Sequence, residues 1–190
     1  MQSSLFKQQG NFMVEFAIIG VFFALLLVFS ADLVVRLAYQ GKLDRMSYSA
    51  ANIIKERTEL ANADQVANAD QADLFVLRPD AGDVLGEFSL LYETVLSSLK
   101  RTSASFDENK FGFHLHVVNY DNERNIDSHD NRGIDCQPSK PRKELDFITT
   151  FGRHATLYQV TLCYDTPSWY GQIIGQDFSR VSSRSIVMGR

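Results

Sequence analysis

Cysteine is scarce in this chain: Cys136 and Cys163 are the only two in 190 residues. They permit one disulfide at most. With no C-x2-C pair and four scattered histidines, no zinc site is expected. Basic residues are also few, 19 against 23 acidic ones, for a formal net charge of −4. The one basic run, Lys140-Pro141-Arg142-Lys143, is short, has acidic neighbours and reads as a solvated loop, so a nucleic-acid partner is excluded. There is no nucleophile elbow, no P-loop and no glycine pattern for a dinucleotide. Serine, histidine and aspartate occur, but nothing sets them in register. The chain is therefore read as no enzyme, with no catalytic residue and no cofactor.

Another absence is more informative. From Phe16 to Ala31 there is no charged residue. Ahead of that stretch stands a short polar leader, MQSSLFKQQG, whose one basic residue is Lys7, and then Asn11-Phe12-Met13-Val14-Glu15. Phe12 to Val35 is about 24 residues, against the ~20 needed to cross a bilayer. An ionised carboxylate inside such a stretch costs a few kcal/mol if unpaired, so Glu15 is expected to have a use. Asp32 and Arg36 form an i, i+4 pair that marks the far end of the hydrocarbon region.

Gly10, Asn11, Glu15 and Phe16, with IIGVFFALLLVFSADLVVRLAYQGKLDRMSYSAANIIKERTEL downstream, resemble a type IV prepilin signal. Over roughly the first third the sequence is most similar to the minor pseudopilins of the tight-adherence (Tad/Flp) pilus system, the TadE and TadF proteins. TadF is the closer of the two, because SSLKRTSASFD is also similar to that family. The resemblance implies that a prepilin peptidase cuts after Gly10. Asn11 then becomes the new N-terminus and Glu15 the fifth mature residue. Many prepilins carry phenylalanine where Asn11 stands, which leaves methylation of the new terminus open. An ordinary secretory signal works the other way, losing its apolar region. The implied partners are the prepilin peptidase, other pilins and pseudopilins, the inner-membrane assembly platform and membrane lipid.

The periodicity beyond the span predicts one helix from Asn11 to about Leu60. Its second half turns amphipathic, with Tyr39, Leu43, Met46, Ala50 and Ile53 on one stripe, expected to pack on the chain's own head. The duplicated ANADQ-V-ANADQ of 61–71 has no apolar face and reads as a linker or a fraying helix end. Asp83 caps a second helix to about Arg101, with Val84, Leu85, Phe88, Leu91, Val95, Leu96 and Leu99 on its core face. Phe111, Phe113, Leu115 and Val117 alternate with Gly112, His114, His116 and Val118, a strand whose histidine face is exposed or partly covered. Residues 121–143 are polar and read as one long loop; 155–164 and 183–188 read as strands. Thr166 to Gly171 reads as a turn whose tryptophan, Trp169, covers the edge of the core; the other reading is an exposed contact patch of Trp169 and Tyr170.

The expected fold is α+β and pilin-like: a long N-terminal transmembrane and amphipathic helix, a second helix and a small antiparallel sheet. The domains are a leader (1–10), a transmembrane helix (11–35), its amphipathic continuation (36–60), a linker (61–82) and an extracytoplasmic head (83–190). Paired, Cys136 and Cys163 close a loop that contributes ~3 kcal/mol; the other reading is two partly buried thiols. Lys7 alone precedes the span while Arg36, Lys42, Arg45 and Lys55 follow it, so the charge count alone puts the head in the cytoplasm. Prepilin-like processing and the cysteines put it outside the inner membrane, and that is the expectation. The expected function is pilus biogenesis, adherence and biofilm formation as a minor pseudopilin. The alternative is a single-pass sensor or adhesin whose outer domain binds a ligand.

Overall fold

The computed structural model describes residues 9–66, 84–103, 105–120, 126–150, 152, 154–175 and 179–189. Helix α1, Gln9–Val66, is 58 residues long, about 87 Å at ~1.5 Å per residue. Its first half carries large apolar side chains all round, and Phe12, Phe16, Ile19, Phe22, Leu26 and Val34 are all exposed. By length and composition α1 is long and apolar enough to cross a membrane, and its most apolar window is buried by nothing else in the chain.

The second half of α1 is amphipathic and packs on the head, as the stripe predicts. Leu43 and Ala50 are buried, and Tyr39 and Met46 are packed against the core. Ile53 instead faces outward; Ala51 and Ile54 take the inward positions. The helix also runs on to Val66, in keeping with the helix-end reading of the first residues of the ANADQ duplication. The rest of the 61–82 segment lies outside the described residues.

Helix α2, Val84–Thr102, lies beside α1 and buries Phe88, Leu91, Val95, Leu96 and Leu99. These are spaced at the helical period, and the expected core face holds wherever side chains are described. Lys42 of α1 closes the end of α2: its Nζ donates to the Thr102 carbonyl and to Ser103 Oγ, each at 2.9 Å.

The sheet has four antiparallel strands in the order β2-β1-β3-β4: β1 Phe111–Asn119, β2 Ile126–Gly133, β3 Leu157–Asp165 and β4 Arg180–Met188. One face meets the helices. Phe88 and Tyr92 of α2 lie against Phe113 and Phe111, and α1 crosses β3 and β4. Small residues let α1 approach closely. Ser47 is fully buried and shares hydrogen bonds with Ser183 (3.0 Å) and Ser185 (2.8 Å) of β4.

Strand β2 corrects the expectation of a single loop over 121–143. Ile126–Gly133 reads IDSHDNRG and has no apolar face, so the period-2 signal is missing. It is an edge strand held by its ladder to β1, and polar edges discourage pairing with other chains. The histidine face of β1 is a second correction, because β1 is buried on both faces along Phe111–Val118. Segment 134–148 crosses that outer face and is pinned there: Gln159 Nε2 donates to the Ser139 carbonyl at 3.0 Å and Tyr120 Oη to the Pro141 carbonyl at 2.6 Å.

Candidate functional site

The residues of the expected prepilin-type signal lie near the first described turn of α1. Gly10 and Asn11 are in its first turn, and Glu15 and Phe16 follow on the exposed, apolar part of the helix. The Gly10–Asn11 bond is therefore helical.

A second cluster joins α1 to the head. The connection between β3 and β4 contains a short helix, α3, Trp169–Ile174. Ser168 caps it, accepting from Gly171 N at 3.0 Å, and Gly175, at φ 69°, ends it in the left-handed region where a side chain is strained. The open end of α3 points at Asp32. Tyr170 N donates to Asp32 Oδ2 at 2.8 Å, Trp169 N to Oδ1 at 3.4 Å and Ser168 Oγ to Oδ2 at 3.2 Å. Arg36, one turn on, donates from Nη2 to Ser168 Oγ at 3.0 Å. The ring of Tyr170 meets Phe29 edge-on at 5.1 Å.

Asp32 is thus 7% exposed, not part of a solvated surface pair. A carboxylate taken out of water is tolerated when donors surround it, and a helix N-terminus supplies them. Removing it strands those donors, at about 1–3 kcal/mol. Trp169 stands on a helix where a turn is expected, and at 62% exposed it fits the exposed-patch reading and not cover for the core edge. Nothing in the sequence links Asp32 to a partner 136 residues away. The nearest local signal was Ser168 followed by an aromatic pair.

The two cysteines meet on the outer face. Cys136 and Cys163 are bonded in the structure, Cα atoms 5.6 Å apart. Gly112 pairs with Cys163 on one side and Gly133 on the other. A Cβ at Gly112 would lie 2.7 Å and 2.8 Å from the two sulfurs and against the Ile134 carbonyl oxygen. The bonded pair needs a bare backbone beneath it.

Beside it, His114, His116 and His129 stand with ring centroids 5.8 to 6.0 Å apart. His116 Nε2 lies 2.7 Å from Asp127 Oδ1. Burial, followed by the neighbouring His116 and His129, pushes the His114 pKa below the ordinary imidazole value. Hydrogen bonds from His116 and Lys140 hold Asp127 below the usual carboxylate range. Among the described residues no three His, Cys, Asp or Glu side chains are grouped to hold a metal ion.

The family model of TadF, tight adherence pilin protein F, matches residues 4–82 and 86–190. The chain belongs to the TadF family. No curated protein and no solved structure matches it. TadF membership gives it a role in the tight adherence pilus system, as a pilin-like structural component. The matched stretches include Gly10, Asn11, Glu15 and Phe16, Asp32, Ser168 and both cysteines. The long apolar helix is consistent with a single-pass anchor in that system, and TadF membership suggests contact with other pilins.

Proposed function

We propose that this TadF protein is a minor pseudopilin, made as a membrane-anchored precursor and cut between Gly10 and Asn11 by a prepilin peptidase. Residues 11–35 hold it in the inner membrane, and 83–190 form a head outside. From there it joins or primes a filament at the assembly platform, with other pilins and pseudopilins as neighbours, and serves pilus biogenesis, adherence and biofilm formation. The observation that carries this reading is the division of one continuous helix. From Phe12 to Leu27 it is bare and apolar, and from Phe29 onward it makes contacts with its own head. A helix built this way leaves its lipid-facing half available for a bundle. The bonded cysteines support an oxidising compartment for the head, against the charge count flanking the span.

Gly10 and Glu15 have separate roles in this scheme. Glycine lets the backbone approach the peptidase's catalytic groups without a Cβ in the way. After the cut, Glu15 pairs with the α-amine of a neighbouring subunit's Asn11. In low dielectric such a pair is favourable only with good geometry, so it selects the subunit stagger.

Mass spectrometry of the mature N-terminus in envelope fractions tests the scheme. An N-terminus at Asn11, with Gly10→Ala accumulating as precursor, is expected. An intact Met1 in cells with an active peptidase refutes it and returns the chain to a fixed anchor. Glu15→Ala is expected to be cut normally and to assemble poorly.

A further inference from the structure

Helix α3 presents an apolar surface that the head does not use. Trp169 is 62% exposed, Ile173 58% and Ile174 44%, while Gly171 is buried against the rest of the chain. The sequence from Thr166 to Gly175 offers no charge to this surface. Its place along α1 is fixed, because Asp32 holds the α3 N-terminus and Phe29 meets Tyr170. From Phe12 to Asp32 the helix rises ~30 Å at ~1.5 Å per residue, the thickness of a bilayer's hydrocarbon core. When α1 spans, α3 therefore lies at the level where hydrocarbon gives way to headgroups. The flanking surface of α1 is apolar there too, with Leu25, Leu26, Phe29 and Leu33 all exposed. Phe29 of that surface touches Tyr170 of α3, and the first cationic side chain beyond it, Arg36, binds the cap of α3.

We propose that α3 is a membrane-surface anchor: Trp169, Ile173 and Ile174 lie in the interfacial region of the leaflet nearest the head, and the Asp32 contacts fix their depth. A tryptophan suits this level, since its ring takes the apolar side and its indole N–H the polar one. A carboxylate at this boundary is costly alone, and the α3 backbone N–H groups satisfy it. Span and head are thereby tied at a second point below the sheet, so α1 neither slides through the bilayer nor swings away from the head. The inference rests on α1 spanning a bilayer, but not on cleavage after Gly10.

Trp169 is the only tryptophan in the chain, so its fluorescence reports on α3 alone. The full chain is reconstituted into phosphatidylcholine–phosphatidylglycerol vesicles, with a series in which the phosphatidylcholine carries bromine near the headgroup or near the chain end. Blue-shifted emission is expected, with weak quenching by acrylamide and stronger quenching by bromine near the headgroup than near the chain end. Asp32→Ala is expected to raise acrylamide quenching severalfold while the near-ultraviolet circular dichroism of the head persists; an unchanged quenching profile in that folded variant overturns the depth-fixing role. Wild-type tryptophan that is open to acrylamide and untouched by bromolipid, in chains that co-float with vesicles, overturns the anchor and leaves the span standing. Chains that do not co-float overturn both.

Discussion

At the scale of single residues, the outer face of the sheet carries a pH dependence. His114 is 7% exposed and has its pKa lowered, by burial first and then by His116 and His129; Asp135 and Asp130 pull the other way. A lowered value means the folded chain holds this imidazole neutral longer than the unfolded chain does. As pH falls below the ordinary histidine value, the unfolded state takes up the proton first and the fold loses stability. The head is therefore expected to unfold at lower temperature at pH ~5.5 than at pH ~7.5, across the ordinary imidazole pKa. His114→Gln is expected to flatten that difference. Near-ultraviolet circular dichroism of the full chain in detergent reads it, and an equally steep profile in the variant would refute the assignment. Asp127, with its pKa lowered, acts in a separate window. Its stabilisation is present above the ordinary carboxylate pKa and is lost as pH falls through its folded value.

At the scale of elements, α2 depends on a neighbour for its end. Its last carbonyl groups have no partner within the helix, and Lys42 of α1 supplies one while placing positive charge where the helix dipole favours it. Lys42→Met keeps an unbranched side chain and removes the donor, together with the ammonium that stands 5.6 Å from the Tyr39 ring centroid. A loss of about 0.5–1 kcal/mol is expected for this exposed contact, with faster amide exchange in the last turn of α2 and none in β3. Uniformly faster exchange over the head would contradict a local role. The elements also show which patterns a sequence transmits. The apolar faces of α2 and β1 stand out because one side of each is greasy. Strand β2 has no such side and exists through its ladder to β1, while α3 is too short for a period and is held at both ends, by Ser168 with Asp32 and by Gly175.

At the scale of the molecule, the chain is one long helix with a head clasped to it at three levels: Asp32 to α3, Lys42 to the end of α2, and Ser47 to β4. The Cys136–Cys163 bond ties segment 134–148 over the outer face, across a sequence separation of 27. Closing a loop of that size contributes ~3 kcal/mol. Replacing both cysteines by serine is expected to lower the thermal midpoint of the head by about 10 °C or more and to speed amide exchange in β1 and β3. Exchange in the first half of α1 is expected to stay the same, since that segment touches none of this covering. An unchanged midpoint would show the covering to be held by its hydrogen bonds alone.

The sequence by itself determined the long helix, its division into an apolar and an amphipathic half, the second helix and three of the four strands. Each of these is written in local spacing: an uncharged run, a 3.6-residue stripe, an alternation. Tertiary structure decided the rest. It set β2 at the sheet edge, closed both faces of β1, joined Cys136 to Cys163 over the bare backbone of Gly112, and gave Asp32 the start of a distant helix as its partner. The physical reason is the same in each case: these features are contacts between residues far apart in the chain, and a buried polar group reveals its partner only after the backbone has brought the two together.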